Sequence, residues 1–262
     1  MKVSVCGKGG SGKSTVVTLL ANEFKARGCH VLVVDSDESN SGLFRMIGFD
    51  HPPVPLMELV GGKRSLKDKM AVGFSSGESE SKMEVLSQER ILLKDISPQH
   101  ISESDNLRMV SIGKILQSLE GCACPMGVLS REFLRKLHLG TNEIAIVDME
   151  AGVEHFGRGV ETSIDNVLIV VEPSLESIEL AARVKGLAAG AGVNHAWAVL
   201  NKIGSYDIAL RLKEELGKRG VQVIGLVYYQ PEIFEACLQG HKLAGGSGGE
   251  GIRQVADRLL SG

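Results

Sequence analysis

Gly7-Lys8-Gly9-Gly10-Ser11-Gly12-Lys13-Ser14-Thr15 follows a short apolar run, Val3 to Cys6, and opens a longer apolar stretch from about Lys13 to Arg27. Strand, glycine-rich turn and helix, in that order, is the context in which such a turn wraps a phosphate chain. The glycines let backbone N–H groups turn inward into an anion nest, and the helix N-terminus adds positive potential. Lys13 is placed to reach the β- and γ-phosphates of a nucleotide, and Ser14 to offer its hydroxyl to Mg²⁺. Gly7, Lys8, Gly9, Gly10, Ser11, Gly12 and Thr15 complete the cradle. In a chain with 32 glycines a bare match arises by chance more easily than usual. The flanking strand and helix are what distinguish this one.

Outward from the loop, short apolar runs alternate with helix-like stretches. Val31 to Val34 ends in Asp35, Ile144 to Val147 in Asp148, Val167 to Val171 in Glu172, and Ala196 to Leu200 in Asn201. Val221 to Val227 reads as a sixth strand. Continuous apolar runs suit strands buried on both faces of a parallel sheet. Strands alternating with helices then predict a doubly wound, mostly parallel α/β fold of the P-loop NTPase kind, in one domain. The stretch from about 50 to 121 is richer in Ser, Glu, Lys and Pro and weaker in periodicity. It reads as a variable insertion between core strands, with an internal strand near Leu107 to Ile112. Ala244 to Gly249 reads as a flexible loop before a last helix from about Glu250 to Leu260.

The 262 residues are 43% hydrophobic and 23% charged, with a formal net charge of -3, as in an ordinary globular protein. That balance supplies no overall basic field for nucleic acid or anionic lipid. No apolar run approaches the roughly 20 residues of a membrane span. Met1 to Val5 is too short an apolar stretch for a signal peptide. The expectation is a cytoplasmic protein without nucleic-acid or membrane partners. Five cysteines then read as thiols or metal ligands and not as a disulfide framework. Cys6, Cys29 and Cys237 fall on or beside core elements and read as packing residues.

The string Lys8-Gly9-Gly10-x-Gly12-Lys13-Ser14-Thr15 resembles the deviant Walker A motif of the dimeric SIMIBI ATPases. That group includes the MinD and ParA partitioning proteins, nitrogenase iron protein and several metal-cluster maturation factors. The resemblance implies ATP as nucleotide with Mg²⁺, and a homodimer in which Lys8 crosses to the partner's nucleotide. A cation delivered in trans would stabilise charge on the transferring phosphoryl, as an arginine finger does. Asp35-Ser36-Asp37 stands where the family carries switch I, which implies that Asp37 orients or activates the attacking water and assists Mg²⁺. Glu38 stands where the family usually has proline. Asp148-Met149-Glu150-Ala151-Gly152 matches switch II, with Asp148 on Mg²⁺ through water. Helix capping is the plain alternative for each carboxylate, but strand ends of such a sheet converge on one edge. Asn201-Lys202, and Tyr228 to Glu232 with Pro231 among them, stand where the family holds the adenine.

Gly121-Cys122-Ala123-Cys124-Pro125 precedes an amphipathic stretch, Met126 to Leu137. Pro125 suits the first position of a helix, and a thiolate at Cys124 would gain from its N-terminus. Two thiolates at this spacing are half of a tetrahedral sulfur site, though two packed thiols are the plainer alternative. A two-fold dimer would complete a four-thiolate site from Cys122 and Cys124 of both copies, suited to Ni²⁺, Zn²⁺ or an iron–sulfur cluster. The pair, the phosphate loop, and Asp148 through Gly159 together resemble the CooC-type accessory ATPases of carbon monoxide dehydrogenase maturation. That resemblance implies a metallochaperone supporting nickel insertion into carbon monoxide dehydrogenase or acetyl-CoA synthase. His155 in that string reads as a local hydrogen-bonding residue before a metal ligand. Two other readings compete. One is a cluster-bearing carrier or reductase like nitrogenase iron protein, whose cluster ligands lie far apart in sequence. The other is a positioning ATPase of the MinD or ParA type, against which the last helix lacks a dense basic face and aromatic anchors.

Overall fold

The computed structural model of the chain describes residues 1–75, 84–114, 124–157 and 159–261, with the backbone but not the side chains of 73–75, 124 and 161. In chain order the elements are β1 (Lys2–Gly7), α1 (Lys13–Ala26), β2 (His30–Ser36), α2 (Leu43–Ile47), α3 (Gly62–Ser75), β3 (Ser102–Ser104), β4 (Leu107–Ser111), α4 (Cys124–Lys136), β5 (Glu143–Met149), α5 (Glu154–Gly157), β6 (Asn166–Val171), α6 (Leu175–Gly190), β7 (His195–Ile203), α7 (Tyr206–Lys218), β8 (Gln222–Tyr228), α8 (Pro231–Gln239) and α9 (Gly249–Leu260). Short 3₁₀ turns punctuate the connections.

The strands form one sheet in the order β3-β4-β2-β5-β1-β6-β7-β8, and every neighbouring pair is parallel except β3 with β4. Successive side chains of a strand point to opposite faces, and here both faces are covered. Val3, Val5, Val31, Val33, Ile144 and Ile146 pack with Leu20 and Phe24 of α1 and with Val255 and Leu259 of α9. Leu32, Val34, Ala145, Val147, Val167 and Ile169 pack on the other side with Phe133 of α4, Val184 of α6 and Leu212 of α7. Two buried faces explain why these runs carry no polar alternation. Phe24 is fully buried, and its replacement by Ala would cost about 3–5 kcal/mol.

The helices start where local chemistry allows. Ser174 and Ser205 each accept a backbone N–H from the third residue on, at 3.2 and 3.4 Å, capping α6 and α7. In the region 50–121 the strand near Leu107 is β4, paired in parallel with β2. β3, Ser-Glu-Ser, turns back on β4 through Asp105 at φ 53 and was not foreseeable from apolar alternation. The apolar positions of α9, Ile252, Val255 and Leu259, are buried in the core. Among the described residues no helix is long and apolar enough to cross a membrane.

β1 lies between β5 and β6, so the chain leaves it to one side through β2 and later returns to the other through β6. The crevice at the carboxyl ends of strands around such a reversal is where open α/β sheets bind ligands. The register places Asp35 opposite both Asp148 and Ser111, and Gly7 opposite Val170. Phosphate loop and acidic strand ends therefore share one edge.

Candidate nucleotide site

The phosphate loop leaves β1 at Gly7, φ +148, where a Cβ would lie 2.6 Å from the Val170 carbonyl oxygen. Only glycine fits there, because β6 runs alongside. Gly10 (φ +78) and Gly12 (φ +93) take left-handed conformations that side chains resist. Gly12 is also the N-cap of α1, and the Ser11 N–H donates to the Lys8 carbonyl at 3.1 Å, closing the turn. Lys13 and Ser11 are buried, with Lys13 in the first turn of α1. The Ser11 hydroxyl has no hydrogen-bond partner among the described residues.

Ser14 and the two acidic strand ends form a tight polar cluster. The Ser14 hydroxyl donates to Asp148 Oδ2 at 2.6 Å and accepts from Asn40 Nδ2 at 2.7 Å. Asp148 is fully buried, and its pKa is pushed up to about 7 by that burial and by Asp35, against the Ser14 hydrogen bond and the charge of Lys13. Asp35 is pushed up to about 6, again by burial, with Lys114 opposing. One oxygen of each carboxylate has no partner among the described residues. Asp37, also buried, accepts from Ser39 N at 2.9 Å and Ser39 Oγ at 2.6 Å, which folds residues 37–39 into a turn. The Gly152 N–H donates to the Gly7 carbonyl at 3.2 Å, tying the loop after β5 to the phosphate loop.

Beside the loop is a cavity of about 280 Å³ lined by Gly10, Gly12, Thr15, Asn201, Lys202, Tyr228, Tyr229, Gln230, Phe234 and Cys237, among others. Asn201 is buried, and its amide donates to the Ser11 carbonyl at 2.8 Å. Lys202 stands at φ +57 and donates to the Gly10 carbonyl at 2.5 Å. Pro231 opens α8 and is not among the lining residues.

Residues 3–243 match the model of the CobQ/CobB/MinD/ParA nucleotide binding domain. The chain belongs to this family. It is an ATPase of the MinD/ParA type. Among its relatives, the ATP-binding protein MJ0084 of Methanocaldococcus jannaschii is 39% identical over 243 residues, covering 93% of this chain and 94% of that protein. The carbon monoxide dehydrogenase accessory protein CooC of Rhodospirillum rubrum is 32% identical over 209 residues, covering 78% and 75%. The solved septum site-determining protein MinD complexed with Mg-ADP from Pyrococcus horikoshii OT3 shares the fold at a TM-score of 0.68 and 16% identity, over 100% of this chain and 97% of that one.

Within this MinD/ParA-type frame, Lys8 projects from the loop and pairs with Glu172 at 3.3 Å. Lys202 pairs with the other oxygen of Glu172, also at 3.3 Å. Cys122 lies outside the described residues, and Cys124 is described only as the backbone start of α4. Among the described residues no group of three or more His, Cys, Asp or Glu side chains is arranged to hold a metal. Cys6 and Cys29 are buried, as a packing role requires, but Cys237 is exposed. The reason is that α8 buries none of its side chains. It stands over the cavity, with Cys237 Sγ 3.8 Å from Thr15 Oγ1. His155 is buried with its ring 4.7 Å from that of Phe156. The sequence reading missed Asn40 and Lys114, which contact Ser14 and Asp35 respectively. Neither belongs to a motif, and both arrive through the fold.

Proposed function

We propose that this chain is an ATP-hydrolysing accessory protein for metallocluster maturation, working as a homodimer in the cytoplasm. The observation that carries the finer half is the seat of α4, the helix headed by the cysteine pair. Ser130 on α4 shares a hydrogen bond of 2.9 Å with Ser36, the residue between Asp35 and Asp37. A change at the phosphate end of β2 thus has a short route to the helix that carries Cys124. The likeness to CooC supports the same reading.

In this reading the loop's N–H groups and Lys13 hold the β- and γ-phosphates, while Asn201, Lys202 and the segment around Pro231 border the adenine. The cluster fits a hard divalent cation, because Asp148 and Asp35 offer unpartnered carboxylate oxygens beside the Ser14 hydroxyl. When bound, Mg²⁺ neutralises charge on the phosphates, and Ser14, Asp37 and Asp148 are the residues that would hold it directly or through water. Asp37 orients a water for attack on the γ-phosphorus. The bond to the bridging oxygen breaks, and ADP and inorganic phosphate leave. Lys8 of the partner subunit adds positive charge as that bond breaks, so hydrolysis depends on association.

Cys122 and Cys124 of both copies would form a four-thiolate site whose geometry tightens on closure and loosens on opening. Nickel is the cargo that the CooC likeness favours, with Zn²⁺ as an alternative occupant. Carbon monoxide dehydrogenase or acetyl-CoA synthase is the client class it suggests. A likeness to the iron–sulfur cluster carrier protein of Mycobacterium leprae, 25% identical over 187 residues, favours a cluster as second cargo. Elemental analysis paired with native mass, with and without a non-hydrolysable ATP analogue, tests both. About one metal per dimer is expected, falling in Cys122→Ser. Unchanged stoichiometry and affinity in that variant would remove the chaperone reading, and a visible spectrum of a reducible cluster would select the second.

A further inference from the structure

Lys114 lies just beyond the end of β4, the edge-side neighbour of β2. Its ammonium is 2.7 Å from Asp35 Oδ2, and it donates to the Asp37 carbonyl at 2.5 Å and to the Asn40 carbonyl. An ammonium has three protons to donate, and three acceptors from the 35–40 segment meet it. The side chain is 14% exposed, so these contacts face little competition from water.

The held segment is the one that faces the phosphate loop. Asn40 is gripped at its carbonyl by Lys114 and reaches Ser14 Oγ with its own amide at 2.7 Å. Asn40 Oδ1 accepts the Gly42 N–H at 2.9 Å, and Asp37 is folded onto Ser39. Residues 37–42 are therefore strung between Ser14 on one side and Lys114 on the other. Neutralising the buried Asp35 carboxylate would require one of the three contacts. The two to backbone carbonyls do something else, since they fix where the chain runs after β2.

We infer that Lys114 is a positioning residue for ATP hydrolysis, holding the loop after β2 so that Asp37 meets the attacking water. This rests on the role given to Asp37 above. A displacement of about 1 Å at such a group costs roughly 10²-fold in rate without a matching loss of binding. Lys114→Met should therefore lower kcat for ATP by about 10²-fold while KM stays within about threefold. Lys114→Arg, which keeps the charge and its donors, should recover at least about tenfold of that loss.

Because Lys114→Met strands a buried carboxylate, thermal melting is followed alongside, and the same change is made in an Asp35→Asn background. There the charge is gone and the carbonyl contacts alone are at stake. A further fall in kcat of about tenfold or more on adding Lys114→Met to Asp35→Asn supports the positioning role. Equal kcat for Asp35→Asn with and without Lys114→Met overturns it and leaves Lys114 as a counter-ion. If Asp37→Ala hydrolyses ATP like the unaltered protein, the underlying site reading fails and the inference goes with it. If Asp37→Ala is inactive while Lys114→Met is fully active, the inference alone fails.

Discussion

Asp35 and Asp148 face each other across adjacent parallel strands, at the same register, with 2% and 0% of their surfaces exposed. Two carboxylates this deep stay ionised only at a cost: burial raises both pKa values, the charge of Asp35 raises that of Asp148 further, and Asp37 adds to that of Asp35. The arrangement makes sense at a site that receives a cation. It also makes the empty protein pH-sensitive.

The sign follows from linkage. A carboxyl whose folded pKa is raised binds more protons folded than unfolded, so stability falls as pH rises between the two values. For Asp148 that window runs from its ordinary 3.8 to about 7. In protein free of Mg²⁺ and nucleotide, Asp148→Asn should therefore be more stable than the unaltered chain at pH 8, by a few kcal/mol at order of magnitude. The difference should shrink as pH falls towards 4. Chemical denaturation across that range checks it, and a pH-independent difference would contradict the shift.

Gly12→Ala tests the loop. The position is left-handed, and a Cβ there would run into the Asn201 amide. The conformational strain alone is about 1–2 kcal/mol, and Asn201 must also give up its bond to Ser11. Titration with a fluorescent ATP analogue should show nucleotide binding reduced at least about tenfold, with far-UV circular dichroism unchanged. Retained affinity would mean that the nest does not need this backbone.

Lys8→Ala separates stability from hydrolysis. Lys8 is 39% exposed and Glu172 19%, so their pair contributes only about 0–1 kcal/mol and melting should barely move. Binding of ATP by the monomer should persist. Steady-state hydrolysis should fall by roughly 10³-fold, the scale of a missing finger cation. Undiminished turnover in this variant would eliminate a role in trans.

Cys237 offers a direct footprint of the base. It is exposed, and it lines the cavity beside Thr15. Mg-ADP should slow its labelling by a maleimide at least about tenfold if the base fills that cavity. Mass spectrometry of the labelled peptide reads this out. Labelling at the same rate with and without nucleotide would place the base elsewhere.

Much of this was legible from residue order. A glycine-rich turn between an apolar strand and an apolar helix, followed by apolar runs ending in Asp35, Asp148 and Asn201, was enough to place one parallel sheet with its chemistry along one edge. That works because a strand buried on both faces leaves a continuous apolar signature, and because glycine at a forced backbone angle has no substitute. β3 was not legible, since three polar residues on a sheet edge need no apolar pattern. Cys237 was misjudged because α8 sets only Ile233 and Ala236 against the core, and leaves Cys237 exposed.

By itself, then, the order of residues determined the strand–loop–helix unit, the parallel sheet and the positions at which acidic strand ends fall. Folding alone decided that Asp35 confronts Asp148, that Asn40 reaches Ser14, and that Lys114 returns from beyond the end of β4 to grip the segment after β2. The division has a physical cause. Periodicity and glycine geometry act between neighbours in the chain, whereas an ammonium finds its acceptors through space, across 74 residues for Lys114 and Asn40.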